Sequence, residues 1–260
     1  TPLTEHGRDG ARLTPVQYGQ ELYDQHAMVR ELVKWEYELR YPEQACGLVA
    51  RAAALAMAEP RGPVFLGFPR EPLLDPLPPG VRFEPFPVAC PTTPHPDPAA
   101  IDELAQWLAQ ARHPLIVAER GDPAGKVGAS LARLAQAHAI PVIEIMPVRN
   151  VMPSSHPMML GHSAGDHLEA ADAILVVDAS TPWVERLHRP GPGKRIAHLG
   201  PDPLVGRQPV RSFQTDLAIC CDTAAGLDAL LAALPPPTDA VERRRAHYTR
   251  LSEQRRRHAR

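Results

Sequence analysis

Several groups of residues in this chain have types and spacings that could do chemistry. Gly121, Gly125 and Gly128 stand in "AERGDPAGKVG", where an apolar run gives way to an amphipathic one. A dinucleotide fingerprint needs Gly-x-Gly-x-x-Gly at such a turn, and this spacing differs. They are read as turn glycines, although a helix N-terminus at this place leaves N–H groups that can hold an anion. His156, His162 and His167 cluster around one long loop. Metal binding or acid–base work is chemically open to them, but their spacing matches no metal site, so they are read as loop histidines. Asp178 closes an apolar run just before "STPWVE", the position where ligands bind in open α/β sheets. Trp183 in that segment can stack on a flat ligand or fill an interface. Ser130 and Ser154 lack a nucleophile-elbow context, so no hydrolase triad is supported.

The elements that would position these residues follow from periodicity. Leu22, Met28, Val29, Leu32 and Val33 recur at helical spacing over 22–35. Pro42 and Glu43 open a second, Ala-rich helix that ends at Pro60. Val64 to Phe68 is a short apolar run typical of a covered strand, and the preceding stretch offers no convincing partner strand. Prolines crowd 71–96, which reads as an extended linker. Asp97-Pro98 then caps a helix with Ile101, Leu104, Leu108 and Ala111 on one face. Strands are expected at 115–118, 142–145, 173–177, 195–199 and 217–220. Helices are expected around Val127 to Ala135, near Leu168, and over 223–234. Alternating apolar strands and amphipathic helices predict an α/β fold, a Rossmann-like parallel sheet covered by helices on both faces. A second proline-rich stretch opens at Pro235. The tail that follows it, with eight arginines, reads as a solvated helix rather than a nucleic-acid surface.

Composition excludes other classes. The chain has 260 residues, with 44% hydrophobic and 22% charged, the balance of a globular protein. A net charge of −2 offers no general attraction to nucleic acid or to an acidic membrane. No apolar run reaches the roughly 18 residues of a membrane span, and the N-terminal segment has no signal-peptide core. Cys46, Cys90, Cys220 and Cys221 form no Cys-x-x-Cys pair, and adjacent Cys220 and Cys221 point to opposite faces of a strand. This usage reads as a reduced, cytoplasmic protein.

Taken together, these segments resemble the thiamine-diphosphate-dependent enzymes of the acetolactate synthase and pyruvate oxidase group. "GQELYDQHAMVRELVKWEYELR" and "AALAMAEPRGPVFLGFPRE" are similar to the end of the pyrimidine-binding domain of those enzymes. "HPLIVAERG", "AHAIPVIE", "HPMMLGHSA", "ADAILVVDASTPWV" and "HLGPDPLVGRQPVRSFQTDLAI" resemble successive segments of their central domain.

The resemblance implies a partial pyrimidine-binding domain over 1–72, a linker over 73–96, a central Rossmann-like domain over 97–236, and a basic linker over 237–260. It implies a 2-oxo acid decarboxylase or carboligase that uses thiamine diphosphate and Mg²⁺ and works as a homodimer or homotetramer. The activating glutamate and the Gly-Asp-Gly motif that holds metal and diphosphate match nothing here. The chain is therefore expected to be an internal part of the enzyme and inactive alone. Gln20 and Glu21 correspond to a Gln-Glu pair near the substrate channel. Gly121, Gly161, Asp178 and Asp202 correspond to turns where relatives hold FAD or ADP, and Arg120 offers a positive charge beside them. Glu119 and Arg120 stand where the FAD binders carry glycines. No tightly bound flavin is expected, and at most weak ADP or phosphate binding at Arg120, Gly121 and Asp202. The rival reading is a stand-alone nucleotide-binding or structural Rossmann-like module.

Overall fold

The computed structural model describes residues 2–82, 84–149 and 151–258. The chain divides into two compact units, 1–92 and 93–260.

The first unit runs α1 (Pro15–Gly19), α2 (Ala27–Arg30), β1 (Trp35–Glu38), a 3-10 turn (Pro42–Gln44), α3 (Ala45–Met57), β2 (Val64–Gly67) and α4 (Arg70–Leu74). Two expectations need correction here. The helical spacing over 22–35 yields only the single turn of α2, and Leu22, Met28 and Leu32 are exposed. The strand at Val64 does have a partner: β1 runs parallel to it, with Trp35 opposite Val64 and Glu38 opposite Gly67. The side chains of "WEYE" are all half-buried, so β1 carries neither alternation nor a continuous apolar run. Glu71, fully buried, ties the N-terminal arm to this unit by accepting the N–H groups of Leu3 at 2.6 Å and Thr4 at 2.7 Å. Burial alone would raise its carboxyl, but those N–H groups outweigh burial and hold it below the ordinary carboxylate range.

The second unit runs α5 (Pro98–Gln110), β3 (Pro114–Ala118), α6 (Lys126–His138), β4 (Val142–Glu144), β5 (Met159–Gly161), α7 (Gly165–Ala170), β6 (Ala173–Val177), β7 (Arg195–Gly200), β8 (Leu217–Cys220), α8 (Thr223–Ala233) and α9 (Asp239–His258). Asp97 caps α5 by accepting the Ala100 N–H at 3.3 Å, with Pro98 in the first turn. The strands form one parallel sheet in the order β5-β4-β3-β6-β7-β8. β3 and β6 are buried along their whole length, as a strand covered on both faces must be. Helix α8 packs against both α5 and α6, and Leu104, Leu108, Leu131, Leu134, Leu227 and Leu230 of these helices lie in the core. Each such leucine contributes about 1.5–3 kcal/mol by leaving water. Right-handed crossover places α7 on the other face, where Trp183 and Phe213 meet edge-on at 5.3 Å.

β5 falls inside what the sequence presents as one long loop, since three residues carry too little pattern to read. The basic tail also differs from expectation. α9 is not solvated all round: Val241, Tyr248 and Ser252 are buried, and Ser252 Oγ donates to Met159 O at 3.0 Å. Arg244 donates to Ala111 O (3.1 Å), Ala139 O (3.1 Å) and His138 O (2.7 Å), the open carbonyls at the ends of α5 and α6. Periodicity could not show that Arg244 and Arg245 are half-buried against backbone carbonyls.

Candidate functional site

Strands β4 and β6 lie on opposite sides of β3, so the chain order reverses between β3 and β6. The crevice beyond the C-terminal ends of these two strands is where open parallel sheets bind ligands. Ala118 and Val177 are the paired last residues there. Arg120 and Gly121 follow β3, Asp178 follows β6, Asp202 follows β7 and Gly161 ends β5, so the structure brings all five to one edge of the sheet. Only the first three sit at the point of reversal. Gly161 lies two strands away, beyond β4.

Their surroundings differ from what a nucleotide site needs. Arg120 is exposed. Asp178 has a left-handed backbone, φ 40°, and its N–H bonds Leu199 O at 2.9 Å. Its backbone passes so near Gly200 that a Cβ there would stand 3.4 Å from Asp178 Cα. Asp202 accepts the Gly206 N–H at 2.9 Å, which closes its own turn. Gly161 is buried with φ 112°, and a Cβ on it would meet Arg255 Cδ at 3.2 Å. Its turn faces the chain's own α9.

The side chain that fills the crevice is Glu119. It is 3% exposed and accepts the Ser180 N–H at 2.8 Å and the Ser180 hydroxyl at 2.8 and 2.9 Å. Behind it, Arg211 donates to Ser180 O (3.0 Å) and Ala179 O (3.2 Å) and reaches His198 Nδ1 at 3.1 Å. His198 is buried and its pKa falls to about 4, through burial first and the Arg211 charge second. The ring is therefore neutral at pH 7, accepting from Arg211 at Nδ1 and donating from Nε2 to Gln214 O at 3.3 Å. The helix N-terminus is not free either. Asp122 accepts the N–H groups of Val127 at 2.7 Å and Ala124 at 3.0 Å. Sequence reasoning placed Glu119 here but did not pair it with Ser180, and nothing in "QPVRSFQ" marks Arg211 as its neighbour.

The remaining candidates stand apart. Gln20 and Glu21 are exposed just after α1, and the Glu21 carboxylate pairs with Arg12. His162 Nδ1 lies 2.9 Å from Glu144 O, and His156 accepts the Met158 N–H at 3.1 Å. Among the described residues, no three His, Cys, Asp or Glu side chains converge as metal ligands. Burial pushes the Cys221 thiol up to about 12, so it is no nucleophile.

Residues 101–230 match the family model described as "Thiamine pyrophosphate enzyme, central domain". The chain belongs to the thiamine pyrophosphate enzyme family. "Probable 2-ketoarginine decarboxylase AruI" of Pseudomonas aeruginosa is 27% identical over 224 residues, covering 83% of this chain and 38% of that protein. Acetolactate synthase large subunit IlvG of Mycobacterium tuberculosis is 28% identical over 176 residues, covering 65% of this chain and 31% of that protein. Benzoylformate decarboxylase from Polynucleobacter necessarius has the same fold over 88% of this chain and 46% of its own, with a TM-score of 0.65 at 22% identity. The chain thus spans under half the length of each of these proteins.

Proposed function

We propose that this chain is the end of the pyrimidine-binding domain and the central domain of a thiamine-diphosphate-dependent enzyme that decarboxylates or ligates 2-oxo acids, as acetolactate synthase does. The observation that carries this reading is the central-domain match over 101–230, directly preceded by the parallel pair β1–β2 in its own compact unit. In this reading the groups that activate the cofactor and hold Mg²⁺ and diphosphate belong to other parts of the protein. The complete enzyme is cytoplasmic and oligomeric, and Gln20 and Glu21 border its substrate channel. The cofactor supplies the carbanion sink for 2-oxo acid chemistry, while this chain supplies the scaffold.

Calorimetry tests the reading. Thiamine diphosphate with Mg²⁺ is titrated into the 260-residue chain and into the protein of its full open reading frame. Saturable binding and release of CO₂ from a 2-oxo acid are expected from the complete protein alone. Cofactor binding by the short chain, or none by the complete protein, overturns it.

A further inference from the structure

Beyond the C-terminal ends of β3 and β6, two sets of backbone N–H groups face carboxylates of the chain itself. One is the Ser180–Thr181 segment at the end of β6, where the N–H of Ser180 at 2.8 Å and that of Thr181 at 3.5 Å face Glu119. The other is the first turn of α6, taken by Asp122. In an open α/β sheet these are the donors that meet a ligand's phosphates. We infer that Glu119 is an internal substitute for a ligand anion, closing the β3–β6 crevice of the central unit to phosphate-bearing nucleotides such as ADP and FAD.

Three features support this and none depends on the thiamine-diphosphate reading. First, the Glu119 carboxylate is almost wholly removed from water, yet both of its oxygens accept hydrogen bonds from Ser180. A buried carboxylate persists only where donors replace its lost hydration. Second, Arg211 lies behind the same segment and feels the charges of both Asp202 and Glu119. By holding the carbonyls of Ala179 and Ser180, Arg211 fixes the segment whose N–H groups face the Glu119 carboxylate. Third, a phosphate brought to Ser180 would meet the charge of Glu119, and one at α6 would meet Asp122. Like charges within a few ångströms in a half-dry crevice repel strongly.

Removing the substitute should restore the site. The test uses the whole chain, its Glu119→Ala and Glu119→Gln variants, and thermal midpoints in chloride, acetate and phosphate at one ionic strength. Wild type serves as the reference in each salt, because acetate and phosphate stabilise many proteins generally. E119A loses a charged, buried hydrogen-bond acceptor, so its midpoint in chloride should fall by about 5 °C or more. Acetate and phosphate, which supply the missing anion, should recover at least half of that deficit relative to wild type. E119Q keeps an acceptor oxygen for Ser180 and should lose less and gain little from either anion. If E119A does not fold in chloride, refolding yield in acetate against chloride replaces the midpoint, with rescue expected. In calorimetry, ADP should bind E119A and not wild type. The inference fails if wild type binds ADP saturably, if E119A matches the wild-type midpoint, or if neither anion narrows its deficit or restores its folding.

Discussion

At the scale of single residues, His198 shows how the buried network couples folding to acidity. Its pKa is about 4 in the folded chain, against about 6.5 for a free imidazole. Between these values the unfolded chain binds the proton and the folded chain does not. Stability is therefore complete above about pH 6.5 and falls as pH drops toward 4, by up to about 3 kcal/mol from this residue. His138 and His156 are lowered mainly by burial and add to the same acid slope. Denaturant midpoints at pH 7.5 and 5 measure it. His198→Asn should be less stable at pH 7.5 by about 1–2 kcal/mol, because it loses the bond to Gln214, yet show the flatter slope. An unchanged slope would mean that His198 is charged in the fold. Gly226 illustrates a second balance. Alanine in place of an interior helical glycine ordinarily gains about 1 kcal/mol. Here the new Cβ would sit 2.7 Å from Cys221 Sγ and 3.0 Å from Leu199 Cδ1, both in the core. Overpacking costs about 1–3 kcal/mol, so Gly226→Ala should lower stability in equilibrium unfolding.

At the scale of elements, legibility followed pattern strength. Helices α5, α6 and α8 and strands β3, β4, β6, β7 and β8 were readable because caps, apolar runs and helical faces agreed. β1 was hidden because its four half-buried residues carry neither alternation nor an apolar run, and β5 because three residues hold no period. The crevice could be located from strand ends alone. Its content could not, since the pairing of Glu119 with Ser180 spans 61 residues and depends on how two loops close. α9 differs from its expectation for a related reason: an arginine half-buried against backbone carbonyls has the same letter as a solvated one. Arg244 tests its worth. Lysine has one point of charge and cannot reach three carbonyls in the plane of a guanidinium. Arg244→Lys should cost about 2–3 kcal/mol of stability and loosen the last turns of α5 and α6. Hydrogen exchange at Ala111 and Ala139 would register the loosening, and unaltered exchange would show that the contacts are dispensable.

At the scale of the molecule, the two units differ in what holds them. The second carries a six-stranded sheet with a continuous core from Ile101 to Tyr248. The first has a two-stranded sheet, half-buried in every residue, and exposes Leu13, Tyr23, Met28 and Leu32. Two strands alone are marginal in water. Hydrogen exchange should therefore show strong protection in β3, β6 and β7 and weak protection in β1 and β2. The separately expressed 93–260 stretch should unfold cooperatively by itself. Equal protection across both units would contradict this.

The hold of α9 on the older part of the chain also sets a timetable for synthesis. Gln136 and Ala137 end a helix whose last carbonyls are fastened by Arg245, 109 and 108 residues later. A ribosome adding about 5–20 residues per second needs roughly 5 to 20 s to make that interval. Through it, α6 is complete in sequence but open at its end, and α5 waits likewise for Arg244. The nascent chain can lay down its strands in order, but these helix ends are fastened only when α9 has been made, so a ribosome that stalls before Arg244 releases a sheet with unfastened helices.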